Sequence, residues 1–313
     1  GRICNRRCED ACTRGTVDQA VAIDAVKKFV AQQDLNAAHR YVPPVVQPSL
    51  QGPWPQKIAI IGGGPAGLSC AYFLALQGYR PTVFEKNEHP GGMLRYGIPS
   101  FKLEKDVIDA EIDILRELGV TIRCGMEVGK DVTLAQLRAQ GYKAFYLAIG
   151  CQGGRTAGVP GEDAAGIQTA VALLRTVGGD ESHKMTGKTV VIGGGNVAID
   201  AARVALRCGS SDVTMVCLEP REKMPASAEE IAEAEEEGTA IRCGYGPKEF
   251  LTKDGHVCGV VLKRCTGLYD AEGRFAPTYD ESVTITLPCD NVVLSIGQCI
   301  QWGNLLDGEA VQL

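Results

Sequence analysis

One pattern occurs twice in this chain and restricts its fold more than any other feature. The apolar run Lys57-Ile58-Ala59-Ile60-Ile61 leads into Gly62-Gly63-Gly64-Pro65-Ala66-Gly67 and then into a helical stretch ending at Leu76. Further along, Thr189-Val190-Val191-Ile192 leads into Gly193-Gly194-Gly195-Asn196-Val197-Ala198 and a helical stretch ending at Leu206. A second strand follows each helix, at residues 81–84 and 213–218. Strand, tight turn, helix and strand make a βαβ unit, whose strands run parallel. Two such units in 313 residues predict an α/β chain with two Rossmann-like domains, since a single core seldom grows that large.

The intervening segments set the expected boundaries. Residues 1–15 are basic and cysteine-rich, and Val17, Val21, Ala25, Val26, Phe29 and Val30 make a helical stripe over 17–33. Pro43, Pro44, Pro48, Pro53 and Pro55 then form an extended linker. A helix is expected over 103–118, stopping at Gly119, and another from Thr133 with Gln136 as its capping-box partner. A strand over 144–149 ends in Gly150. Ser227 and Glu230 open a helix whose acidic run reads as a solvated face, and residues 242–296 read as short strands joined by turns. The expected organisation is a short α-helical N-terminal remnant with its linker over 1–50, one nucleotide domain over 51–155 with 290–313, and the other over 156–289.

The chemistry follows from the glycines. In G-x-G-x-x-G, Gly62 permits the tight turn, Gly64 lets the backbone approach a pyrophosphate, and Gly67 lets helix and strand pack closely. Pro65 and Ala66 open the helix, whose free amides and dipole hold the anion. Glu85 ends the next strand, where a carboxylate accepts from ribose hydroxyls, with Lys86 beside it. A second glycine loop, Gly91-Gly92-Met93-Leu94-Arg95-Tyr96-Gly97-Ile98-Pro99, suits a bulky ring lying against backbone and points to FAD. Neither Arg95 nor Tyr96 is assigned a catalytic role. The second fingerprint, with Gly193, Gly195, Asn196 and Val197, is the G-x-G-x-x-A variant. Glu219 ends its second strand and suits the free 2′-hydroxyl of NADH over the 2′-phosphate of NADPH. Arg221 and Lys223 follow it and either contact phosphate or solvate a loop. Asp200 and Arg203 are expected to pack and position the turn.

The 91–99 loop followed by Phe101-Lys102-Leu103-Glu104-Lys105, the strand end Ala148-Ile149-Gly150, and Gly194-Gly195-Asn196-Val197-Ala198-Ile199-Asp200 carry a family likeness. Over essentially its whole length the chain resembles FAD- and NAD(P)-linked reductases of the glutamate synthase small-subunit type. Relatives of that type occur in dihydropyrimidine dehydrogenase and in NADH-dependent ferredoxin:NADP oxidoreductase. The resemblance implies that Gly92, Met93 and Leu94 look onto the flavin and that a backbone group of Val128 meets the adenine. Lys86, Ala148, Ile149, Gly150 and Gly297 complete the expected cofactor contacts. It also implies that Cys4, Cys8 and Cys12 are ligands of 4Fe–4S clusters whose other ligands lie upstream, with zinc as the alternative. Family members continue past residues 290–298 into a strand and a Gly-Asp motif, so the chain is expected to be truncated at both ends.

Hydride transfer from NAD(P)H to FAD needs no side-chain acid or base, so no catalytic residue is expected beyond those that orient the cofactors. No C-x2-C or C-x4-C pair lies beside either fingerprint, which disfavours a flavin disulfide reductase. Electrons are expected to pass through iron–sulfur clusters to a redox partner subunit or domain. The alternative is a non-catalytic electron-transfer or structural module of a larger complex. A net charge of −6 gives no field to draw in nucleic acid or an anionic membrane. No apolar run approaches the roughly 20 residues that span a bilayer. Thirteen cysteines without a disulfide-scaffold spacing argue for a reducing cytoplasm, with the ten outside the N-terminal run read as buried structural thiols.

Overall fold

The computed structural model describes residues 1–46 and 53–311. It divides into two compact units: residues 1–150 with a return segment from Trp302, and Cys151–Gln301 between them. The expected boundaries at 155/156 and 289/290 are therefore displaced. Residues 290–301 belong to the second unit because Asn291–Leu294 pairs in parallel with both Lys188–Ile192 and Ile167–Thr169, in the middle of that unit's sheet. The linker prolines fall partly outside the described residues (Pro48 among them), and residues 1–46 cluster with the first unit.

In the first unit, α1 (Arg7–Asp10) and α2 (Ile23–Leu35) precede β1 (Lys57–Ile61), α3 (Pro65–Leu76), β2 (Thr82–Phe84), α4 (Met93–Tyr96), α5 (Lys105–Glu117), β3 (Thr121–Arg123), α6 (Leu134–Ala139) and β4 (Tyr142–Leu147). The strands form one parallel sheet in the order β3-β2-β1-β4. Ile60, Ala71, Ala75 and Val83 pack on one face, where the small residues of α3 let the helix lie close to the sheet. Phe84, Leu134, Leu137 and Tyr142 pack on the other, joined by Leu305 of the return segment. Arg138 clamps that segment through two 2.6 Å hydrogen bonds to the Glu309 carboxylate. The capping box at Thr133 and Gln136 forms with both hydrogen bonds.

The expected helix over 17–33 is shortened at its start. Arg14 pairs with Asp18, whose carboxylate also accepts the Gln19 N–H at 2.6 Å, and these local bonds compete with a helical turn. The helix begins at Ile23, held by Glu9, whose side chain accepts the Asp24 N–H at 2.7 Å. The expected apolar stripe faces outward: Val17, ahead of the helix, and Phe29 and Val30, on it, are 77%, 64% and 60% exposed.

The second unit runs β5 (Gly153–Gly154), β6 (Ile167–Thr169), α7 (Ala170–Gly179), β7 (Lys188–Ile192), α8 (Asn196–Arg207), β8 (Asp212–Cys217), α9 (Ala228–Glu236), β9 (Ala240–Cys243), β10 (Tyr245–Lys253), β11 (His256–Tyr269), β12 (Phe275–Pro288), β13 (Asn291–Leu294) and β14 (Gln298–Cys299). Its core is a five-stranded parallel sheet in the order β6-β13-β7-β8-β9. An antiparallel sheet β10-β11-β12 packs its Phe250, Val260 and Leu262 against Val190, Val216 and Val292 of the parallel one. β11 and β12 are each 14 residues long, not the short strands expected. Their pairing shifts register three times between Lys263 and Tyr269, which breaks the two-residue alternation that marks a long strand.

The acidic helix is more than a solvated face. Glu233 and Glu237 both pair with the buried Arg203 of α8, and Glu237 also takes Arg207. Of the ten cysteines read as buried thiols, only Cys208, Cys217 and Cys289 are buried.

Candidate nucleotide sites

In each unit the first strand of the repeat lies between neighbours reached in opposite directions along the chain, so a crevice opens at its carboxyl end. In the first unit this is the end of β1, between β2 and β4. Gly62 has φ +109°, and a methyl there would stand 2.4 Å from the Ala148 carbonyl oxygen. A methyl on Gly67 would stand 1.9 Å from the Gly62 oxygen, so this glycine lets α3 seat on the turn. Gly64 differs: its φ is an ordinary −80°, and a methyl would find only the Gly92 Cα, at 3.6 Å. The amides of Gly64, Ala66 and Gly67 take no backbone acceptor among the described residues, and Pro65 and Ala66 are exposed. Open space above Gly64 and donors aimed at it fit a pyrophosphate.

Glu85 ends β2 buried, and the protein already uses both of its oxygens. Oε2 accepts the Gly63 N–H at 2.7 Å; Oε1 accepts the Asn87 N–H at 2.8 Å and its side-chain amide at 2.6 Å. The carboxylate therefore anchors the glycine turn, with one lone pair left, on Oε2, for a ribose. Lys86 is exposed. The second glycine loop lies directly against the first. Gly91 donates to the Gly63 oxygen at 2.7 Å, and a methyl on Gly92, at φ +53°, would stand 2.6 Å from the Gly64 Cα. Met93 and Leu94 follow as half-buried residues of α4.

Two residues that the sequence left unassigned hold this loop. Arg95 is buried, donates to the Pro90 oxygen at 3.0 Å and pairs with Asp109 of α5, so it is no surface residue. Lys105 reaches the carbonyl oxygens of Ile98 at 2.5 Å and Leu94 at 3.4 Å. A charged residue beside a glycine loop was the available signal. Val128 is buried after β3, next to Gly129, which abuts the main chain at Leu305. Ala148, Ile149 and Gly150 continue from the end of β4, where Ala148 donates to the Ile61 oxygen at 2.8 Å.

The second unit repeats the arrangement at the end of β7, between β13 and β8. Gly193 has φ +144°, and a methyl there would stand 2.3 Å from the Ser295 oxygen, just beyond β13. A methyl on Gly195 would meet nothing within 4 Å. The amides of Gly195, Asn196 and Val197 take no backbone acceptor among the described residues, and Asn196 and Val197 are exposed. Ala198 is fully buried, as the close-packing position requires. The Asn196 side chain accepts the Ser227 N–H at 3.0 Å, tying the turn to the start of α9. Glu219 lies beside Gly194, where a methyl would stand 2.9 Å from its Oε2. Unlike Glu85, its carboxylate makes no hydrogen bond or ion pair among the described residues. Arg221 pairs with Glu235 at 2.5 Å. Gly297, grouped by the sequence with the flavin-side glycines, lies in the second unit, where its oxygen accepts the Arg155 N–H at 3.1 Å.

The three N-terminal cysteines are not brought together. Cys8 is exposed on α1, Cys4 and Cys12 are half-buried, and no three His, Cys, Asp or Glu side chains among the described residues form a metal-holding group. Backbone N–H groups of Val21 and Arg14 hold the Cys12 thiol below the usual thiol range. These residues do not by themselves make a complete cluster site. No helix among the described residues is long and apolar enough to cross a membrane.

The family model described as pyridine nucleotide-disulphide oxidoreductase matches residues 56–305, which contain both crevices. The chain belongs to this family. It is similar to the NADP(+)-dependent formate dehydrogenase subunit beta of Moorella thermoacetica, at 39% identity over 98% of the chain and 46% of that protein. It is 34% identical to the glutamate synthase [NADPH] small chain of Halomonas elongata, over 95% of the chain and 64% of that protein. The chain thus spans about half the length of the first of these relatives. Among solved structures, Mycobacterium tuberculosis FprA in complex with NADPH shares the fold, with a TM-score of 0.67 at 21% identity over 78% of this chain and 71% of that one. The expected kinship with the glutamate synthase small-subunit type and the α/β class with two Rossmann-like units are borne out. This membership makes the chain part of an NAD(P)H-dependent flavoprotein oxidoreductase family.

Proposed function

We propose that the chain carries hydride from a nicotinamide dinucleotide on its second unit to FAD on its first, and that reduced flavin passes electrons to a redox partner subunit or domain. The observation that carries this is the doubled crevice: each unit has an open glycine position, unpaired helix-start amides and a carboxylate ending the next strand. Bound FAD supplies the redox chemistry. The protein's residues bind and orient. Gly62, Gly64, Pro65, Ala66 and Gly67 receive the flavin pyrophosphate; Gly92, Met93 and Leu94 face its ring; Val128 and the 148–150 strand end complete the pocket. Gly193, Gly195, Asn196 and Val197 receive the nicotinamide pyrophosphate. Glu219, free of protein partners, accepts from the adenosine ribose and favours NADH, although the relatives above are named for NADP(+) and NADPH.

Cys4, Cys8 and Cys12 are assigned to 4Fe–4S ligation in the longer protein, by resemblance alone, and no step is derived through them. Thirteen free cysteines support a reducing cytoplasm. Anaerobic addition of NADH to the FAD-loaded chain is expected to bleach the yellow flavin band, faster than NADPH does. A flavin band that neither nucleotide bleaches would favour the non-catalytic module instead.

A further inference from the structure

β8 and β9 both end in a cysteine, and the ladder sets the two directly opposite each other: Cys217 pairs in register with Cys243. Registered residues on neighbouring parallel strands lie about 4.8 Å apart and point to the same face. A disulfide needs Cα atoms roughly 4.4–6.8 Å apart, so the backbone already meets its requirement. Both cysteines are free, and the two thiols interact directly. Burial pushes the Cys217 thiol well above the usual range, and Cys243 beside it adds to the rise. The hydride transfer uses neither sulfur.

The two differ in access. Cys217 is 2% exposed, whereas Cys243 is half-buried and lines a cavity of about 700 Å³. An oxidant in that cavity meets Cys243 first. Arg221 lines the same cavity, and its charge interacts with both sulfurs, which favours the negative charge that sulfur carries as it attacks. Cys217 is in turn tied to the glycine turn. Its thiol donates to the Glu219 main-chain oxygen at 3.5 Å, and the Gly244 N–H, next to Cys243, donates to the same oxygen at 3.2 Å. A methyl on Gly194 of the fingerprint would stand 2.9 Å from the Cys217 Cβ.

We propose that Cys217 and Cys243 are a redox modification site, closed to a disulfide by hydrogen peroxide and reopened by a dithiol, and that closing it weakens nucleotide binding on the second unit. The Cys243 sulfur attacks one peroxide oxygen and the O–O bond breaks, giving a Cys243 sulfenic acid and one water. The Cys217 sulfur then attacks the Cys243 sulfur. The S–O bond breaks, and hydroxide leaves with the Cys217 proton as a second water. Two electrons pass from the sulfurs to peroxide, and a dithiol returns them with two protons. Closing the bond removes the thiol hydrogen that Glu219 accepts, so the residue loses one of its two main-chain holds. The disulfide chemistry stands apart from the reading of the second unit as the nicotinamide-nucleotide unit; its effect on binding rests on that reading.

The test treats the reduced full chain with hydrogen peroxide, alkylates the remaining thiols and maps the digest by mass spectrometry. A peptide joining Cys217 to Cys243 is expected, and dithiothreitol should abolish it. ADP titrated calorimetrically should bind about fivefold more weakly after peroxide, roughly the weight of one neutral hydrogen bond, and regain its affinity on reduction. In Cys243→Ala, which keeps the Cys217 hydrogen bond, peroxide should leave ADP affinity unchanged. In Cys217→Ala, dimedone should trap a Cys243 sulfenic acid that wild type resolves. Absence of the joined peptide overturns the proposal. So does a joined peptide with unaltered ADP affinity, or a peroxide effect of equal size in Cys243→Ala. If the reduced chain binds no ADP, the nucleotide reading falls with the binding effect, and the peptide map alone decides the disulfide.

Discussion

Glycines within one fingerprint do different work, and single substitutions separate them. Gly64 has ordinary extended backbone and open space where a side chain would go, so Gly64→Val should fold normally and lose FAD. The branched side chain would fill the pyrophosphate position. Gly67→Ala should instead destabilise the first unit by about 1–3 kcal/mol, because its methyl meets the Gly62 oxygen. Flavin content per folded protein, measured beside urea unfolding, distinguishes the two; stoichiometric FAD in Gly64→Val would refute the assignment. At the second fingerprint, Glu219→Arg should weaken NADH by the loss of a charge-assisted contact, roughly 1.5–3 kcal/mol. It should improve NADPH at the same time. A wild type that prefers NADPH outright would contradict the role given to Glu219.

At the scale of elements, the α8–α9 pair is held by charge as much as by packing. Arg203 is buried and shares Glu237 with Arg207, and the two guanidinium groups hold the Glu237 carboxyl at about 2, against an ordinary 4.5, with the Arg207 hydrogen bond the larger cause. Because its folded pKa is depressed, Glu237 contributes its full stabilisation above about pH 4.5 and loses it as pH falls toward 2. Acid unfolding of Glu237→Gln, followed by circular dichroism, should show a lower stability at neutral pH and a shallower decline over that interval. Parallel curves for the two proteins would remove the clamp from the account. The sequence showed an acidic helix; that its charges point at the buried Arg203 is a consequence of how α9 docks.

On the whole-molecule scale, the second unit interrupts the first between Gly150 and Trp302. Hydrogen exchange tests the assignment of one cofactor to each. FAD should slow exchange over 62–67 and 91–97, while ADP should slow it over 193–198 and 218–223. Protection of the 193–198 amides by FAD, or of the 62–67 amides by ADP, would reverse the assignment.

The sequence by itself determined the two parallel-sheet units, the position of each glycine turn and the carboxylate after each second strand. Those features are local: strand, turn and helix follow one another within about 30 residues, so pattern and glycine geometry suffice. The capping box at Thr133 was legible for the same reason. Tertiary structure decided what depends on segments far apart. β13 joins the second sheet beside β7 and carries Gly297 with it, against the expected boundary. Arg138 finds Glu309 of the return segment, 171 residues further along the chain. No window of sequence contains both partners of such contacts, so only the folded chain shows which charges are held and which are left free.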